Sequence, residues 1–111
     1  MREKSVAITE LDRLMSLSEG EHLEFKEAKN SFEFELLVKY CVALAFEGGG
    51  TMVIGVTDKV PRRIVGTKAF LDLEKTKAGL ASRLHIRVDA EELNHHDGRV
   101  LLFKVPSRPI G

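Results

Sequence analysis

The sequence is poor in the aromatic side chains that stack best on nucleic-acid bases. It contains no tryptophan and a single tyrosine, Tyr40. Proteins that hold single strands without sequence preference rely largely on such stacking platforms. The composition therefore argues against a binding mode built on base stacking.

Cysteine and long apolar runs are also scarce. Cys41 is the only cysteine, which excludes an internal disulfide and a zinc site made of several cysteines. It lies in an apolar run with helical spacing, which indicates a buried, unreactive thiol. No apolar run approaches the ~20 residues of a membrane span, and the N-terminus lacks the apolar segment of a signal peptide. We therefore expect a cytoplasmic protein with no membrane partner.

The chain has no excess charge of either sign, because 17 basic residues balance 17 acidic ones. Strong non-specific DNA binding depends on neutralising phosphates, so a net charge of zero argues against a DNA-coating protein. The basic residues are locally concentrated, however. Lys59, Arg62 and Arg63 form the densest basic group, in a predicted turn. We expect this turn to supply the nucleic-acid contacts.

The 111 residues suffice for one domain, spanning 1–111. Residues 1–18 are expected to be a helical lead-in, with a helix that Thr9 caps, and 106–111 look like a tail cut from a longer protein. Alternation of Leu23 and Phe25 with polar residues predicts a strand over 21–27. A wide apolar face predicts the main helix, beginning at Asn30 or Ser31.

The second half of the chain predicts further strands and one helix. The apolar run 51–56 indicates a central strand covered on both faces. A turn over 57–63, a short strand over 64–66, a helix over 69–84 and a hairpin of 86–93 with 100–105 follow. The expected fold is α+β, a mixed β-sheet packed against two main helices. Leu23 and Phe25 are expected to be buried under the main helix, beside Val53.

Two local motifs have simple structural explanations. Gly48-Gly49-Gly50 follows a helix and precedes a strand, whereas phosphate-binding loops run in the order strand, glycines, helix. A tight turn with positive φ at one or more of these glycines is therefore favoured. His95 and His96 are expected to point apart in a polar hairpin turn rather than to bind a metal.

Three carboxylates lie at or beside the ends of predicted strands: Glu19, Glu24 and Asp58. They converge if the strand of Glu24 neighbours the strand that leads to Asp58. Three carboxylates with Lys26 beside them can bind Mg²⁺ or Mn²⁺. The bound ion can then activate a water molecule for phosphodiester cleavage. Three separately solvated carboxylates are the alternative, because charged residues normally occupy the wet face of a sheet.

Several short motifs together resemble the Schlafen AlbA_2 family, a module also found in bacterial proteins predicted to be transcriptional regulators and in RecG-related helicase-like proteins. The matching segments are Glu19, Glu24-Phe25-Lys26, Gly49-Gly50-Thr51, Ile54-Gly55-Val56, Asp58 and Ile64-Val65-Gly66. The resemblance implies an α+β nucleic-acid-binding fold. In the family's ribonuclease branch a carboxylate trio cleaves RNA, and its positions match Glu19, Glu24 and Asp58.

The chain departs from the family pattern in three ways. The end of the main helix reads Ala45-Phe46-Glu47, where the family usually has Ala-Asn. The cysteines of the Schlafen zinc site are missing, and the chain contains one copy of the module. The resemblance predicts a nucleic-acid-binding module of a bacterial transcriptional regulator, with DNA or RNA as partner. A metal-dependent nuclease, with Lys26 steadying the scissile phosphate, is the alternative. A structural or dimerisation domain, with a second copy of the chain as a homodimer partner, is the second alternative.

Overall fold

A four-stranded mixed sheet forms the centre of the structure, a computed structural model that describes residues 2–17, 20 and 22–107. The helices are α1 (Arg2–Met15), α2 (Phe34–Phe46) and α3 (Leu73–Leu84). The strands are β1 (Leu23–Lys26), β2 (Gly50–Ile54), β3 (Asp89–His95) and β4 (Gly98–Val105). The expected α+β class and mixed sheet are confirmed.

The strand order is β1-β2-β4-β3. β1 runs parallel to β2 with Phe25 opposite Val53, and β4 runs antiparallel to both β2 and β3. β2 is therefore central, as its apolar sequence predicted. Because β1 and β2 are parallel, the residues that follow both strands emerge at the same edge of the sheet.

The two faces of the sheet are covered by different helices. Met52, Ile54 and Phe103 pack with α2 and α3 on one face. Leu23, Phe25 and Val53 pack with Leu11 and Leu14 of α1 on the other. The expectation that Leu23 and Phe25 lie under the main helix is therefore wrong, although both are buried. Alternation along a strand defines two faces but does not say which helix covers each face.

Helix boundaries differ from the expected ones at their N-termini. Thr9 is an interior residue of α1 rather than its cap. α2 begins three or four residues later than predicted, after Glu33, whose side chain makes no capping hydrogen bond. α3 begins at Leu73 rather than near 69, because Asp72 Oδ1 accepts from the Lys75 amide at 3.1 Å and caps the helix.

Residues 64–66 do not form the expected strand. Only Ile64 forms a bridge, with Val56, and the amides of Val65 and Gly66 both donate to the Gly55 carbonyl. Gly55 has φ of +106°, so the chain leaves the ladder there. A local bend thus replaces the strand pairing that the apolar sequence predicted.

The glycine turn between α2 and β2 is confirmed. Gly48 and Gly49 have φ of +97° and +95°, and the Gly49 amide donates to the Leu44 carbonyl at 2.8 Å. His22 Nδ1 lies 2.7 Å from the Gly49 carbonyl oxygen and donates to it. The glycines therefore end a helix and attach the turn to the chain beside β1.

None of the helices in the described part of the chain combines the length and the apolar character needed to cross a membrane.

Candidate nucleic-acid interface

The edge of the sheet where β1 and β2 end carries most of the predicted site residues. The Gly55 amide donates to the Lys26 carbonyl at 2.7 Å, and Thr67 Oγ1 donates to the Ala28 carbonyl at 2.5 Å. These bonds join the segment after β1 to the segment after β2. Side chains distant in sequence are thereby placed on one surface.

Lys26 is the half-buried cation of this edge. Its Nζ lies 5.0 Å from the centroid of the Tyr40 ring. Hydrogen bonding with Tyr40 raises the pKa of Lys26; burial opposes the rise, and the charges of Glu24 and Asp58 add to it. Lys26 therefore stays protonated at neutral pH, close to a phenol and two carboxylates. Tyr40 was not predicted as a site residue, because its position in α2 carries no sign that it faces the end of β1.

The structure describes two members of the predicted carboxylate trio. Glu24 is half-buried and Asp58 is exposed, and the negative charge of each raises the pKa of Lys26. Glu19 lies outside the described residues. Among the residues described, neither Glu24 nor Asp58 belongs to a group of three ligand atoms close enough to share an ion. Carboxylate oxygens are ligands that Mg²⁺ and Mn²⁺ prefer, so the donor chemistry of these two residues suits such an ion. Convergence of the full trio stays a prediction.

The predicted basic turn borders an open groove of about 630 Å³, here called the 57–63 groove. Lys59 and Arg63 are exposed in it and form no ion pair with any other described residue. The backbone of the turn is fixed, because the Thr57 amide donates to the Arg63 carbonyl at 2.9 Å. The lining residues are Glu27, Thr57, Asp58, Lys59, Val60, Pro61 and Arg63.

Arg62 points away from this groove and binds the end of α1. Its Nη1 donates to the carbonyls of Met15 at 3.1 Å and Leu17 at 2.5 Å. Its guanidinium carbon lies 4.1 Å from the centroid of the Phe25 ring. These contacts satisfy C-terminal helix carbonyls and place a positive charge at the negative end of the helix. A nucleic-acid contact from Arg62 stays a prediction, and it would compete with these bonds.

The histidine pair closes the β3–β4 hairpin. The two rings stack with centroids 4.2 Å apart, so the expectation that they point apart is wrong. The Asp97 amide donates to His95 Nδ1 at 3.0 Å, which turns the His95 ring back over the turn. One ligand atom from each of His95, His96 and Asp97 lies within 4.8 Å of the others. The backbone amide occupies His95 Nδ1, so an ion bound to that nitrogen would have to displace this hydrogen bond.

Comparison with known proteins bears on the fold. The family described as Schlafen, AlbA_2 matches residues 19–110. The N-terminal domain of a RecG-related protein from Nitrosomonas europaea is similar with a TM-score of 0.61 and 21% identity, over 89% of this chain and 71% of that one. The DIP2311 protein from Corynebacterium diphtheriae is similar with a TM-score of 0.65 and 19% identity.

The match to DIP2311 covers 97% of this chain but only 23% of that one, so the module spans about a quarter of that protein. At these identities the two structures show the fold alone. No curated protein matches the chain. Because the family match covers residues 19–110, most of the chain, the protein belongs to the Schlafen AlbA_2 family.

Proposed function

We propose that this chain is a nucleic-acid-binding module of a bacterial transcriptional regulator, acting in the cytoplasm. The observation that carries the proposal is the 57–63 groove, where Lys59 and Arg63 are exposed without an ion-pair partner among the described residues. Phosphate oxygens are natural partners for such cations. Family membership and the RecG-related structure support the proposal.

The charge distribution favours modest, local binding. The net charge of the sequence is zero, so the chain as a whole does not attract a polyanion, and binding must come from local groups of cations. Asp58 and Glu27 line the same groove as Lys59 and Arg63 and repel phosphate. A divalent cation would reduce that repulsion. We therefore expect binding to be sensitive to salt and to be strengthened by Mg²⁺ or Mn²⁺.

The test is a double variant, Lys59→Gln with Arg63→Gln, titrated against fluorescein-labelled duplex DNA and RNA by anisotropy at several salt concentrations. Each lost phosphate contact reduces the salt slope by about one unit, so a fall of about two is expected. Lys39→Gln with Lys75→Gln removes the same charge from exposed helical positions and is the matched control. Affinity and slope equal to those of the control would favour a structural or dimerisation domain.

A metal-dependent nuclease is the second candidate. It is favoured by the placement of Glu24 and Asp58 around Lys26. In this hypothesis Glu19, Glu24 and Asp58 hold the ion, and Lys26 steadies the scissile phosphate through its ammonium group. A bound Mg²⁺ or Mn²⁺ would supply Lewis-acid activation of the phosphodiester and its attacking water.

Glu24→Gln tests this candidate with little change in shape. Under the nuclease hypothesis the variant loses Mn²⁺ binding in calorimetry and Mn²⁺-dependent cleavage of RNA or DNA, while its thermal midpoint stays near that of the wild type. Glu47→Gln, at an exposed position that does not line the 57–63 groove, is the control and is expected to retain both. If the wild type binds no Mn²⁺ and leaves RNA and DNA intact, the nuclease hypothesis should be abandoned.

A further inference from the structure

A second groove, of about 420 Å³, is lined in part by the segment that follows the basic turn. Its lining differs from that of the 57–63 groove, because it includes three basic residues and no acidic one. The lining residues are Lys29, Asn30, Val65, Gly66, Thr67, Lys68 and Arg99. We call it the Lys29–Lys68 groove. Its electrostatics are more favourable to an anion than those of the predicted site.

The main chains of Lys29 and Lys68 are joined directly. The Lys68 amide donates to the Lys29 carbonyl at 2.8 Å, which joins the segment after β1 to the segment before α3. Both side chains are exposed, and neither forms an ion pair with another described residue. Two exposed cations that line the same groove attract an anion.

Arg99 makes one wall of the groove rigid. Its Nη1 donates to the carbonyls of Thr67 at 3.2 Å and Ala69 at 2.6 Å, and its Nη2 donates to the Phe70 carbonyl at 2.8 Å. Its Nε donates to Glu92, which offsets much of its charge. Arg99 therefore serves as a scaffold, and the charge available to a ligand comes from Lys29 and Lys68.

Unusual backbone conformations occur beside the groove. Ala28 has φ of +43° and Phe70 has φ of +53°, a region that residues with a side chain rarely adopt. Both are held in place, since the Ala28 carbonyl accepts from Thr67 Oγ1 and the Phe70 carbonyl accepts from Arg99. Such strain persists only where surrounding structure enforces it, and it concentrates at functional sites.

We infer that the Lys29–Lys68 groove binds a phosphate group of the same nucleic acid that contacts Lys59 and Arg63. The inference rests on the proposed function and extends its contact surface. Arg63 lines the first groove and Val65 the second, so residues only two positions apart in the chain contribute to both. A sugar–phosphate backbone that runs along this stretch would contact both grooves.

The test compares three double variants that each remove two positive charges: Lys29→Gln with Lys68→Gln, the 57–63 pair Lys59→Gln with Arg63→Gln, and the control Lys39→Gln with Lys75→Gln. Fluorescein-labelled duplex DNA and RNA are titrated by anisotropy across a salt series. The Lys29/Lys68 variant is expected to lower the salt slope by about two units relative to the control. All six positions are exposed, so thermal midpoints near the wild-type value are expected for each variant.

The outcomes separate the inference from the proposed function. If only the 57–63 variant weakens binding, the proposed function stands and the Lys29–Lys68 groove is no phosphate site. If only the Lys29/Lys68 variant weakens binding, the inference holds and the contacts assigned to Lys59 and Arg63 are wrong. If the wild type does not bind, or neither groove variant differs from the control, both proposals fail.

Discussion

At the scale of single residues, Phe25 joins three parts of the fold. Its side chain is fully buried against Leu11 and Leu14 of α1, and the guanidinium of Arg62 covers its ring. Arg62 in turn binds the carbonyls at the end of α1. Phe25 and Arg62 thus hold the basic turn, α1 and the sheet in one arrangement, and this limits how far Arg62 is available to a ligand.

Replacing Phe25 with alanine should lower the free energy of unfolding by roughly 3–5 kcal/mol, as large-to-small core changes do. The cation–π contact with Arg62 is lost as well. Urea denaturation followed by circular dichroism measures the change. Phe46→Ala is the control. Because Phe46 is 70% exposed, this substitution should change the free energy of unfolding only slightly. A cost under about 1 kcal/mol at Phe25 would contradict the assigned face.

Cys41 should be unreactive while the protein is folded. Its side chain is fully buried in α2, and burial raises the pKa of its thiol to about 12. Ellman's reagent should therefore react slowly in buffer and rapidly in denaturing urea. The unfolded thiol ionises near pH ~8.5, so the stability that burial of the neutral thiol contributes is present below that pH. It is lost as the pH rises from there toward about 12. Fast labelling of native protein at pH 8 would contradict the buried assignment.

At the scale of secondary-structure elements, the α2–β2 turn depends on two glycines with different surroundings. A Cβ at Gly48 would meet only the His22 ring, at 3.5 Å, whereas a Cβ at Gly49 would lie 2.9 Å from the Val105 carbonyl oxygen. Gly48→Ala should lower the free energy of unfolding by about 1–2 kcal/mol, because the residue has a positive φ. Gly49→Ala should cost more, because the clash adds to the strain. Equal thermal midpoints for the two variants would contradict this ranking.

The helix α1 precedes the region that matches the family, yet it covers one face of the sheet. Lys104 of β4 donates to Glu10 at 2.9 Å, which attaches α1 to the sheet, and this hydrogen bond raises the pKa of Lys104. Removing residues 1–17 should therefore expose Phe25 and Val53 to water. We expect the shortened chain to bind a hydrophobic dye and to lose its cooperative urea transition. A shortened chain that unfolds at the wild-type urea midpoint would show that α1 is dispensable.

At the scale of the whole molecule, the zero net charge leaves binding to a few local cations. If Lys59, Arg63, Lys29 and Lys68 each contact a phosphate of duplex DNA, the logarithm of the binding constant should fall with a slope of about −3.6 against the logarithm of salt. Contacts in the 57–63 groove alone give about −1.8. Anisotropy titrations of the wild type distinguish the two values, and a much steeper slope would mean that other basic residues take part.

Much of the fold could be predicted from local sequence patterns. The apolar run of β2 predicted a central strand, and the glycines at Gly48 and Gly49 predicted a turn with positive φ. The β3–β4 hairpin was predicted from the turn at His96-Asp97-Gly98, although its first strand runs from Asp89 to His95 rather than over 86–93. The prediction of a strand over 64–66 was wrong, because the apolar sequence does not reveal that Gly55 bends the chain out of the ladder.

The candidate site could be predicted from the sequence only in part. The sequence predicted Lys26 and the basic turn as site residues, because charge clusters and short motifs are local, and their roles stay predictions. It gave no indication that Tyr40 contacts Lys26, that Arg62 binds the end of α1, or that Lys29 and Lys68 share a groove. Each of these depends on segments far apart in the chain.

The sequence by itself determined the α+β class, the family and the small set of charged residues from which any site must be built. These properties follow from composition and from the periods of helices and strands, which short-range backbone geometry imposes. Tertiary structure alone decided which helix covers Phe25 and which cations remain free for a ligand. The reason is that parallel pairing of β1 with β2 brings segments about thirty residues apart to one edge of the sheet, and no local pattern specifies that pairing.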